Sequence, residues 1–449
     1  MIPVSDGQDE RIVAAAVIPV TPGSVPLQQQ RSAETQGLIE ALDCDCAFVD
    51  ILNIRKPTPS HLFGSGQLQA IGEKLEAHDC QLLVVDGTLS PIQQRNLERS
   101  LGCKVIDRTG LILEIFGLRA RTKAGRLQVE TARLSYERSR LVRTWTHLER
   151  QRGGRGFISG PGETQIEADR RMIDSALLRL KKQLSDVEKT RRLHRSGRKS
   201  RELPIVALVG YTNAGKSTLF NALSGADVFA KDMPFATLDP TIRQIELERH
   251  KRVALVDTVG FITDLPTHLI ESFKATLEES MDADLILHVH DVSSPDMEEQ
   301  SEDVLDILED LEDITGKPCP PVIDIWNKAD RLGTEEKSYY LAHFDSLRPD
   351  ENNYLVSAMT GDGLEAVRKA ILQLVFEFSQ TCDVTLGIEQ GAALAWLFRN
   401  AIVLSRSEEN DGNTVRLSVE ISKDELNRFR KDYAEQIDKQ IQIRTENAS

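Results

Sequence analysis

The stretch PIVALVGYTNAGKSTLFNAL (residues 204–223) decides the fold of this chain. Ile205 to Val209 is a short apolar run that predicts a buried strand, and Thr218 to Leu223 predicts the first turns of a helix. Between them, residues 210–217 spell G-x-x-x-x-G-K-S, the pattern of a phosphate-binding loop. Backbone N–H groups and the helix dipole at such a turn favour an anion. We therefore predict a P-loop domain rather than a chance glycine turn.

The side chains of this loop predict separate contacts with a nucleotide. Lys216 is expected to reach the β- and γ-phosphates, and the Ser217 hydroxyl to bind Mg²⁺. Gly210 and Gly215 allow backbone conformations that a Cβ would block. The residues predicted to surround the phosphates are Gly210, Tyr211, Thr212, Asn213, Ala214, Gly215, Lys216, Ser217 and Thr218.

Two further motifs predict the metal site and the switch regions. The apolar run VALVD ends at Asp257 in the sequence DTVG, which is typical of the Walker-B carboxylate that holds Mg²⁺. The Gly260 N–H is expected to sense the γ-phosphate. The polar segment MPFATLDPT (233–241) predicts a mobile loop, in which Thr237 is the first choice and Thr241 the second for completing the Mg²⁺ shell. The nucleotide-contacting residues predicted here are Phe235, Ala236, Thr237, Leu238, Asp239, Asp257, Thr258, Val259 and Gly260.

Two motifs near the end of this domain predict which base the bound nucleotide carries. An apolar strand leads into NKAD (327–330), where Asp330 can accept hydrogen bonds from N1 and the 2-amino group of guanine, a pair that adenine lacks. Another strand leads to Ser357 and Ala358, whose backbone can contact guanine O6. An isolated N-K-x-D occurs in ordinary charged turns, but five ordered motifs at strand ends predict GTP binding and hydrolysis. The residues predicted around the base are Asn327, Lys328, Asp330, Ser357 and Ala358.

The expected catalytic residues are Lys216, Thr237 and Gly260. Two other residues modify the predicted chemistry. Phe261 stands where Ras-like enzymes carry the glutamine that orients the attacking water, so slow intrinsic hydrolysis is expected. Asn213 precedes Ser217 by four residues, a position from which an asparagine can help to hold K⁺ against the phosphates. Either K⁺ accelerates hydrolysis or Asn213 only caps the loop.

Composition limits the class of protein. The chain has 449 residues and contains no apolar run near the ~20 residues that a membrane span needs. RIVAAAVIPV (11–20) predicts a buried strand and not a secretory signal. The six cysteines form no C-x-x-C pair and have no histidine at zinc spacing, which fits a reducing cytoplasm.

Charge is distributed very unevenly along the chain. The formal net charge is −15, yet residues 116–201 carry 23 Lys or Arg against nine Asp or Glu, a net charge of +14. The remainder therefore carries −29. This asymmetry predicts a phosphate-binding surface in the basic segment, while the acidic remainder limits indiscriminate binding.

The basic segment contains two helical seams. One seam repeats leucine every seven residues, at 127, 134, 141 and 148, and the other follows steps of four and three from Ile173 to Val187. Between them lies RGGRGFISGPGETQ (152–165), which is too rich in glycine for a helix interior. We predict an antiparallel helical hairpin with a flexible tip that carries Arg152 and Arg155. It is either a coiled-coil spacer or an arm that enters structured RNA.

The whole chain is predicted to be an α/β protein with four parts. Residues 1–115 alternate strands and helices, as in a small parallel α/β subdomain, with a loop over 21–34 and a helix cap at FGSGQL (63–68). Residues 116–202 form the basic hairpin and linker, and residues 203–378 form the Ras-like GTPase domain, with a helix over 264–281. Residues 379–449 predict a small α/β appendage with two helices and two strands.

The set of motifs resembles the HflX family of GTPases, and several of the matching stretches are more specific than the general GTPase motifs. The matching stretches are SPIQQRNLE, DRTGLILEIF, RARTKAGRLQVETARLSYERSRL, GPGETQIEADRR, GYTNAGKSTLFNAL, FATLDPT, DTVGFI and NKAD, within residues 86–330. The resemblance implies a ribosome-binding GTPase whose hairpin enters the large subunit near the peptidyl transferase centre, contacts rRNA and separates stalled or idle ribosomes, with hydrolysis stimulated by the ribosome. Many members carry G-x-R-G-P-G-E at the tip, whereas this chain has GFISG at 156–160.

Two other functions remain open at this point. One is a nucleotide-gated scaffold that binds protein partners through the coiled coil and barely hydrolyses GTP. The other is an RNA-remodelling ATPase that works through the N-terminal domain. We expect the chain to act as a monomer.

Overall fold

The computed structural model describes most of the chain. The described residues are 11–20, 28–151, 165–199, 203–225, 233–248, 251–262, 280–347, 353–376, 379–387, 389–409, 413–433 and 441–445. The glycine-rich tip with Arg152 and Arg155, and residues 263–279 of the helix predicted over 264–281, lie outside them.

The N-terminal subdomain is a parallel four-stranded sheet in the order β2-β1-β3-β4, which confirms the predicted α/β class. Its central strand is buried because the run AAAV contributes only apolar side chains. Its elements are β1 Val13–Val20, α1 Gln28–Ala41, β2 Asp45–Asn53, α2 Ser65–Ala77, β3 Leu82–Val85, α3 Pro91–Leu101, β4 Lys104–Asp107 and α4 Arg108–Arg119.

Helix α1 is one place where the sequence prediction was wrong, since residues 28–34 are helical and not a loop. The run QQQRSAE has no apolar periodicity, so it carries no signal of an amphipathic helix. Its polar side chains have buried partners instead. The Thr35 hydroxyl donates to Asp86 at 3.1 Å, and Glu34 forms an ion pair with Arg108. The predicted cap at residues 63–68 is confirmed, because Gly64 is the N-cap of α2.

The basic segment forms two long helices, α5 Lys123–Gln151 and α6 Gln165–Lys199, which pack against each other. Leu127, Leu177 and Leu180 of the predicted seams are buried, and Arg138 pairs with Asp174 across the two helices at 2.6 Å. These contacts confirm the helical hairpin. The preceding helix α4 continues to Arg119 and so crosses the boundary proposed between residues 115 and 116.

A polar network fixes the middle of α5 to the N-terminal subdomain. The Tyr136 hydroxyl donates to Asp107 at 2.6 Å, and Arg140 donates to both groups, at 3.3 Å to Asp107 and 2.5 Å to Tyr136. Burial and the charge of Asp107 raise the pKa of Tyr136, so the phenol stays protonated. Val129 and Ala132 of α5 add apolar contacts with the core of the subdomain.

The third part has a six-stranded sheet in the order β10-β9-β8-β5-β7-β6, in which only β6 is antiparallel to its neighbour. Strand β5 is central, so the loop that follows it lies at the carboxyl edge of the sheet, where ligands of such folds bind. The elements are β5 Ile205–Gly210, α7 Lys216–Ser224, β6 Thr241–Glu248, β7 Lys251–Asp257, β8 Leu285–Asp291, α8 Met297–Thr315, β9 Val322–Asn327, a 3₁₀ turn Ala329–Arg331, α9 Thr334–Leu347, β10 Asn353–Leu355 and α10 Leu364–Phe376.

The C-terminal part is an antiparallel sheet in the order β12-β13-β11-β14 with two helices. The predicted α/β class is confirmed, but the sequence prediction missed two of these strands. In β11 the alternation of Cys382, Val384 and Leu386, all buried, is the signal that could have revealed it. Its elements are β11 Ser379–Gly387, α11 Gly391–Asn400, β12 Ile402–Glu409, β13 Thr414–Ser422, α12 Lys423–Asp432 and β14 Ile441–Thr445.

Among the described helices, none combines the length and the apolar composition that crossing a membrane requires.

Candidate nucleotide-binding site

A cavity of about 350 Å³ lies at the carboxyl edge of the six-stranded sheet. Most of the residues predicted to bind nucleotide line it, although they come from five separate segments. Those lining residues are Thr212, Asn213, Gly215, Lys216, Ser217, Thr218, Phe235, Ala236, Thr237, Thr258, Gly260, Asn327, Lys328, Asp330 and Ala358. Met233, Arg331 and Met359 also line the cavity, and they were not among the residues predicted to bind nucleotide.

The remaining predicted residues are absent from the cavity lining. Several of them support it from behind: the carbonyl oxygen atoms of Gly210, Tyr211 and Ala214 accept hydrogen bonds from lining side chains. Asp257 and Ser357 likewise hold lining residues through their side chains. Leu238 and Val259 are buried in the apolar core, and the Asp239 carboxylate contacts helix α5.

Lys216 lies at the centre of the phosphate end. Its ammonium group donates to the carbonyl oxygen atoms of Gly210 at 2.9 Å and Tyr211 at 2.7 Å. Burial lowers the pKa of Lys216 to about 8. A Cβ at Gly260 would lie 2.9 Å from this ammonium group and from Thr212, so only glycine fits there. The charged group is thus closely confined at the position where phosphates bind in P-loop proteins.

Three oxygen-bearing side chains meet beside Lys216. Asp257 Oδ2 accepts from Ser217 at 2.7 Å and from Thr237 at 2.8 Å, and the two hydroxyl oxygen atoms are 2.8 Å apart. The other carboxylate oxygen, Asp257 Oδ1, is buried and has no hydrogen-bond partner among the described residues. Burial raises the pKa of Asp257, against the opposing effects of Ser217, Lys216 and Thr237. This oxygen-only set fits the ligands that Mg²⁺ prefers, and it includes Thr237, the first choice, rather than Thr241.

The base end is held together by side chains of the NKAD segment. Asn327 donates to the carbonyl oxygen of Ala214 at 2.9 Å and accepts from the Ala358 N–H at 3.0 Å, so one side chain joins two loops. The Ser357 hydroxyl donates to Asp330 at 2.6 Å, which fixes one carboxylate oxygen. Asp330 lines the cavity and can direct its carboxylate toward a base.

Comparisons with known proteins agree along most of the chain. Successive segments match the family models described as GTP-binding GTPase N-terminal (29–117), GTP-binding GTPase Middle Region (119–198), 50S ribosome-binding GTPase (205–328) and HflX C-terminal domain (345–440). The chain is 48% identical to GTPase HflX of Magnetococcus marinus, over 81% of this chain and 82% of that protein. This chain belongs to the HflX family of GTPases.

Other relatives give the same result. GTPase HflX of Escherichia coli is 43% identical over 77% of this chain and 78% of its own length, and that of Caldanaerobacter subterraneus is 39% identical over 91% of both. The solved complex of SsGBP with GDP superposes on 82% of this chain and 99% of its own, at 24% identity and a TM-score of 0.49. Because the chain belongs to this family of GTPases, it is a GTP hydrolase, as its motifs predicted.

In this HflX chain, Phe261 is excluded from the cavity by its position in the core. Its ring is 2% exposed and packs with Met281, Leu308 and Leu311 behind the sheet. Its backbone pairs with the P-loop, because its carbonyl accepts from the Thr212 N–H at 2.6 Å. A side chain at this position therefore points away from the phosphate end.

The N-terminal subdomain of this HflX chain packs against the phosphate end of the cavity from behind, a contact that the sequence did not predict. Its core is continuous with five apolar residues from the P-loop and the two switch segments. Phe116 meets Phe235 edge to face, with ring centroids 4.7 Å apart, and the Tyr211 hydroxyl donates to Glu34 at 3.4 Å. The five residues that join this core are Tyr211, Phe235, Leu238, Val259 and Ile262.

A second cavity, of about 560 Å³, lies between helix α1 and the P-loop. It shares Thr212 and Asn213 with the first cavity, and Asp291, Asp296 and Glu299 lie on its other side. Asn213 is exposed and has a φ of 62°, a left-handed conformation that asparagine tolerates better than most residues. Its amide is thus accessible from an acidic opening.

His288 and His290 lie beneath the base end, in strand β8. Both are buried, and both contact Asp324, at 3.2 Å and 2.5 Å, so they belong to the core of the sheet. Their hydrogen bonds hold the pKa of Asp324 well below its usual range, despite the burial.

Proposed function

We propose that this HflX GTPase binds the large ribosomal subunit through the α5–α6 hairpin and hydrolyses GTP there. The observation that carries the proposal is the net charge of +14 on residues 116–201 in a chain of net charge −15. Concentrated cationic charge on a projecting helical pair suits the phosphates of folded RNA. The match of residues 205–328 to a 50S ribosome-binding GTPase model supports the same partner.

We assign the first cavity to GTP and Mg²⁺. Lys216 holds the β- and γ-phosphates, Asp330 selects guanine, and the Gly260 N–H senses the γ-phosphate. Ser217 and Thr237 would hold Mg²⁺ directly and Asp257 would hold it through water, and the ion would neutralise the charge that develops on the phosphates. The convergence of these oxygen atoms and the unpartnered Asp257 Oδ1 support the assignment.

Hydrolysis by this site alone is expected to be slow. Lys216 and the P-loop N–H groups stabilise charge on the phosphates, but Phe261 is buried and orients no water. A group from the ribosome completes the site, so turnover follows docking. In the GTP state the switches are ordered and the factor stays bound while the subunits of a stalled or idle ribosome separate, and hydrolysis then releases it.

The ribosome proposal is tested by measuring GTP hydrolysis with and without purified large subunits in K⁺ buffer. We expect strong stimulation, which weakens steeply as salt rises. The charge-reversed variant Arg170→Glu/Arg179→Glu/Lys182→Glu, altered on the exposed face of α6, should lose stimulation but keep basal hydrolysis.

A matched variant with the same charge change elsewhere, Arg243→Glu/Lys369→Glu/Arg399→Glu, serves as the control and should be stimulated normally. Equal loss in both variants would mean a general charge effect. Absence of stimulation in the unaltered protein, with GTP bound normally, would favour a scaffold that binds protein partners. ATP turnover that survives Lys216→Ala would favour an ATPase in the N-terminal subdomain.

We further propose that K⁺ accelerates hydrolysis through Asn213. The second cavity next to this exposed amide is lined by five carboxylate side chains against two arginines, and this excess of negative charge supports a cation there. Turnover should be higher in KCl than in NaCl, and Asn213→Gly, which keeps the left-handed backbone but lacks the amide, should remove the difference. Equal rates in the two salts would contradict the proposal.

A further inference from the structure

The switch loop, residues 233–239, lies between the metal-binding hydroxyls and the N-terminal subdomain. Its apolar side chains face the subdomain: Phe235 packs on Phe116, and Leu238 is 3% exposed in the shared core. Its polar Thr237 faces the other way, toward Ser217 and Asp257. One short loop therefore connects two parts of the molecule that are distant in sequence.

Asp239 ends this loop at the beginning of helix α5. Its Oδ2 accepts from the backbone N–H groups of Arg121 and Thr122, each at 2.8 Å, and its Oδ1 accepts from the Thr122 hydroxyl. Thr122 in turn accepts from the Gly125 N–H at 3.0 Å, as a helix cap does. A carboxylate that accepts several bonds at a helix N-terminus is stabilised both by the N–H donors and by the helix dipole.

Gly125 shows how closely Asp239 approaches the helix. A Cβ at this position would overlap Asp239 Oδ1 and lie 3.1 Å from its Cγ. Gly125 has helical geometry within α5, so the requirement for glycine comes from space and not from its backbone conformation. The hairpin thus has a recess that fits the carboxylate of the switch loop.

We propose that Asp239 is a positioning residue, which anchors the switch loop to the start of the hairpin and so holds Thr237 at the Mg²⁺ site. The proposal rests on the assignment of Thr237 to Mg²⁺ made above. Asp239 and Thr237 are two residues apart in the same loop. Loss of the contact between Asp239 and the hairpin would therefore loosen the position of Thr237, and loss of the Thr237 contacts would loosen Asp239. Because coupling between two equilibria is reciprocal, GTP binding stabilises the contact between the loop and the hairpin, and that contact strengthens GTP binding.

The first test compares the affinities of Asp239→Ala for GDP and for a non-hydrolysable GTP analogue in the presence of Mg²⁺. The switch threonine of such GTPases is ordered by the γ-phosphate and its Mg²⁺, so only the triphosphate state should be affected. We expect affinity for the analogue to fall about tenfold, equivalent to about 1.4 kcal/mol, with GDP affinity unchanged. Asp282→Ala, which removes an exposed ion pair with Lys317, is the control and should change neither affinity.

A second variant reaches the same contact from the hairpin. Gly125→Ala places a methyl group in the recess and displaces Asp239, although alanine itself favours a helix. It should weaken binding of the analogue as Asp239→Ala does and spare GDP. In the Asp239→Ala background the recess is free, so adding Gly125→Ala should have no further effect.

The outcomes separate this proposal from the assignment of the site. Equal loss of GDP and analogue binding would mean a general structural defect and would overturn it, as would additive effects in the double variant. Unchanged affinity for the analogue in both single variants would also overturn it. If the assignment of the site were itself wrong, the unaltered protein would show no Mg²⁺-dependent binding of the analogue.

Discussion

The two ends of the nucleotide cavity are built in different ways. At the base end, Asn327, Asp330 and Ser357 are held by contacts within the GTPase domain. At the phosphate end, Thr237 belongs to a loop that is held by the N-terminal subdomain and the hairpin. The residues that we assign to guanine are therefore held within one domain, whereas the loop that carries Thr237 is also held by a second part of the chain.

The largest effect is expected at the phosphate end, from Lys216→Ala. Loss of a buried cation confined at the phosphates should lower kcat/KM for GTP by about 10³-fold or more. Steady-state hydrolysis with protein of verified thermal stability measures this. Lys337→Ala, on helix α9, is the control. A variant that retained more than a tenth of the activity would show that Lys216 does not act on the phosphates.

At the base end, Asp330→Asn should change specificity rather than abolish turnover. Guanine loses an acceptor for its N1 and 2-amino hydrogens, so GTP affinity should fall about 100-fold. The new amide can donate to the C2 carbonyl of xanthine, so affinity for XTP should rise. Competition binding measures both nucleotides, with Asp362→Asn as the control. Equal losses for GTP and XTP would place Asp330 outside base recognition.

Phe261→Gln tests whether a glutamine within the GTPase domain can orient the attacking water at the phosphate end. The glutamine would replace a buried ring, so the free energy of unfolding should fall by about 3 kcal/mol. Hydrolysis per folded molecule should not rise, because the side chain points into the core. Phe261→Leu is the apolar control for denaturant unfolding. A faster GTPase would contradict the position described for residue 261.

The smallest effect is expected from Ser357→Ala. The hydrogen bond to the Asp330 carboxylate is lost together with the one accepted from the Thr360 N–H at 3.1 Å, but Asp330 stays in place at the cavity, so GTP affinity should fall only about fivefold. Isothermal titration with GDP and GTP should show the same loss for both, since the base is common. A loss restricted to GTP would link this end of the cavity to the switches.

The sequence predicted which residues line the cavity wherever the signal was local. Each motif is a strand end followed by a loop of particular residue types, so the P-loop and the NKAD segment could be placed without knowledge of the rest of the chain. The contact between Asp239 and Thr122 could not, because these residues are 117 positions apart and neither is unusual in its own segment. Helix α1 was missed for a related reason: its polar residues find their partners only in the folded subdomain.

Because α5 is long, a small rotation at its attachment to the switch loop near Thr122 would displace its far end by a large distance. The helix has 29 residues and therefore extends about 44 Å. A rotation of only about 5° at its first turn would displace its far end by about 4 Å, given that length. Tyr136 and Arg140 clamp the helix a few turns along, so the subdomain and the hairpin would turn as one piece. A sub-ångström shift of the residues around the phosphates would thus be amplified into a displacement of about 4 Å at the far end of the hairpin.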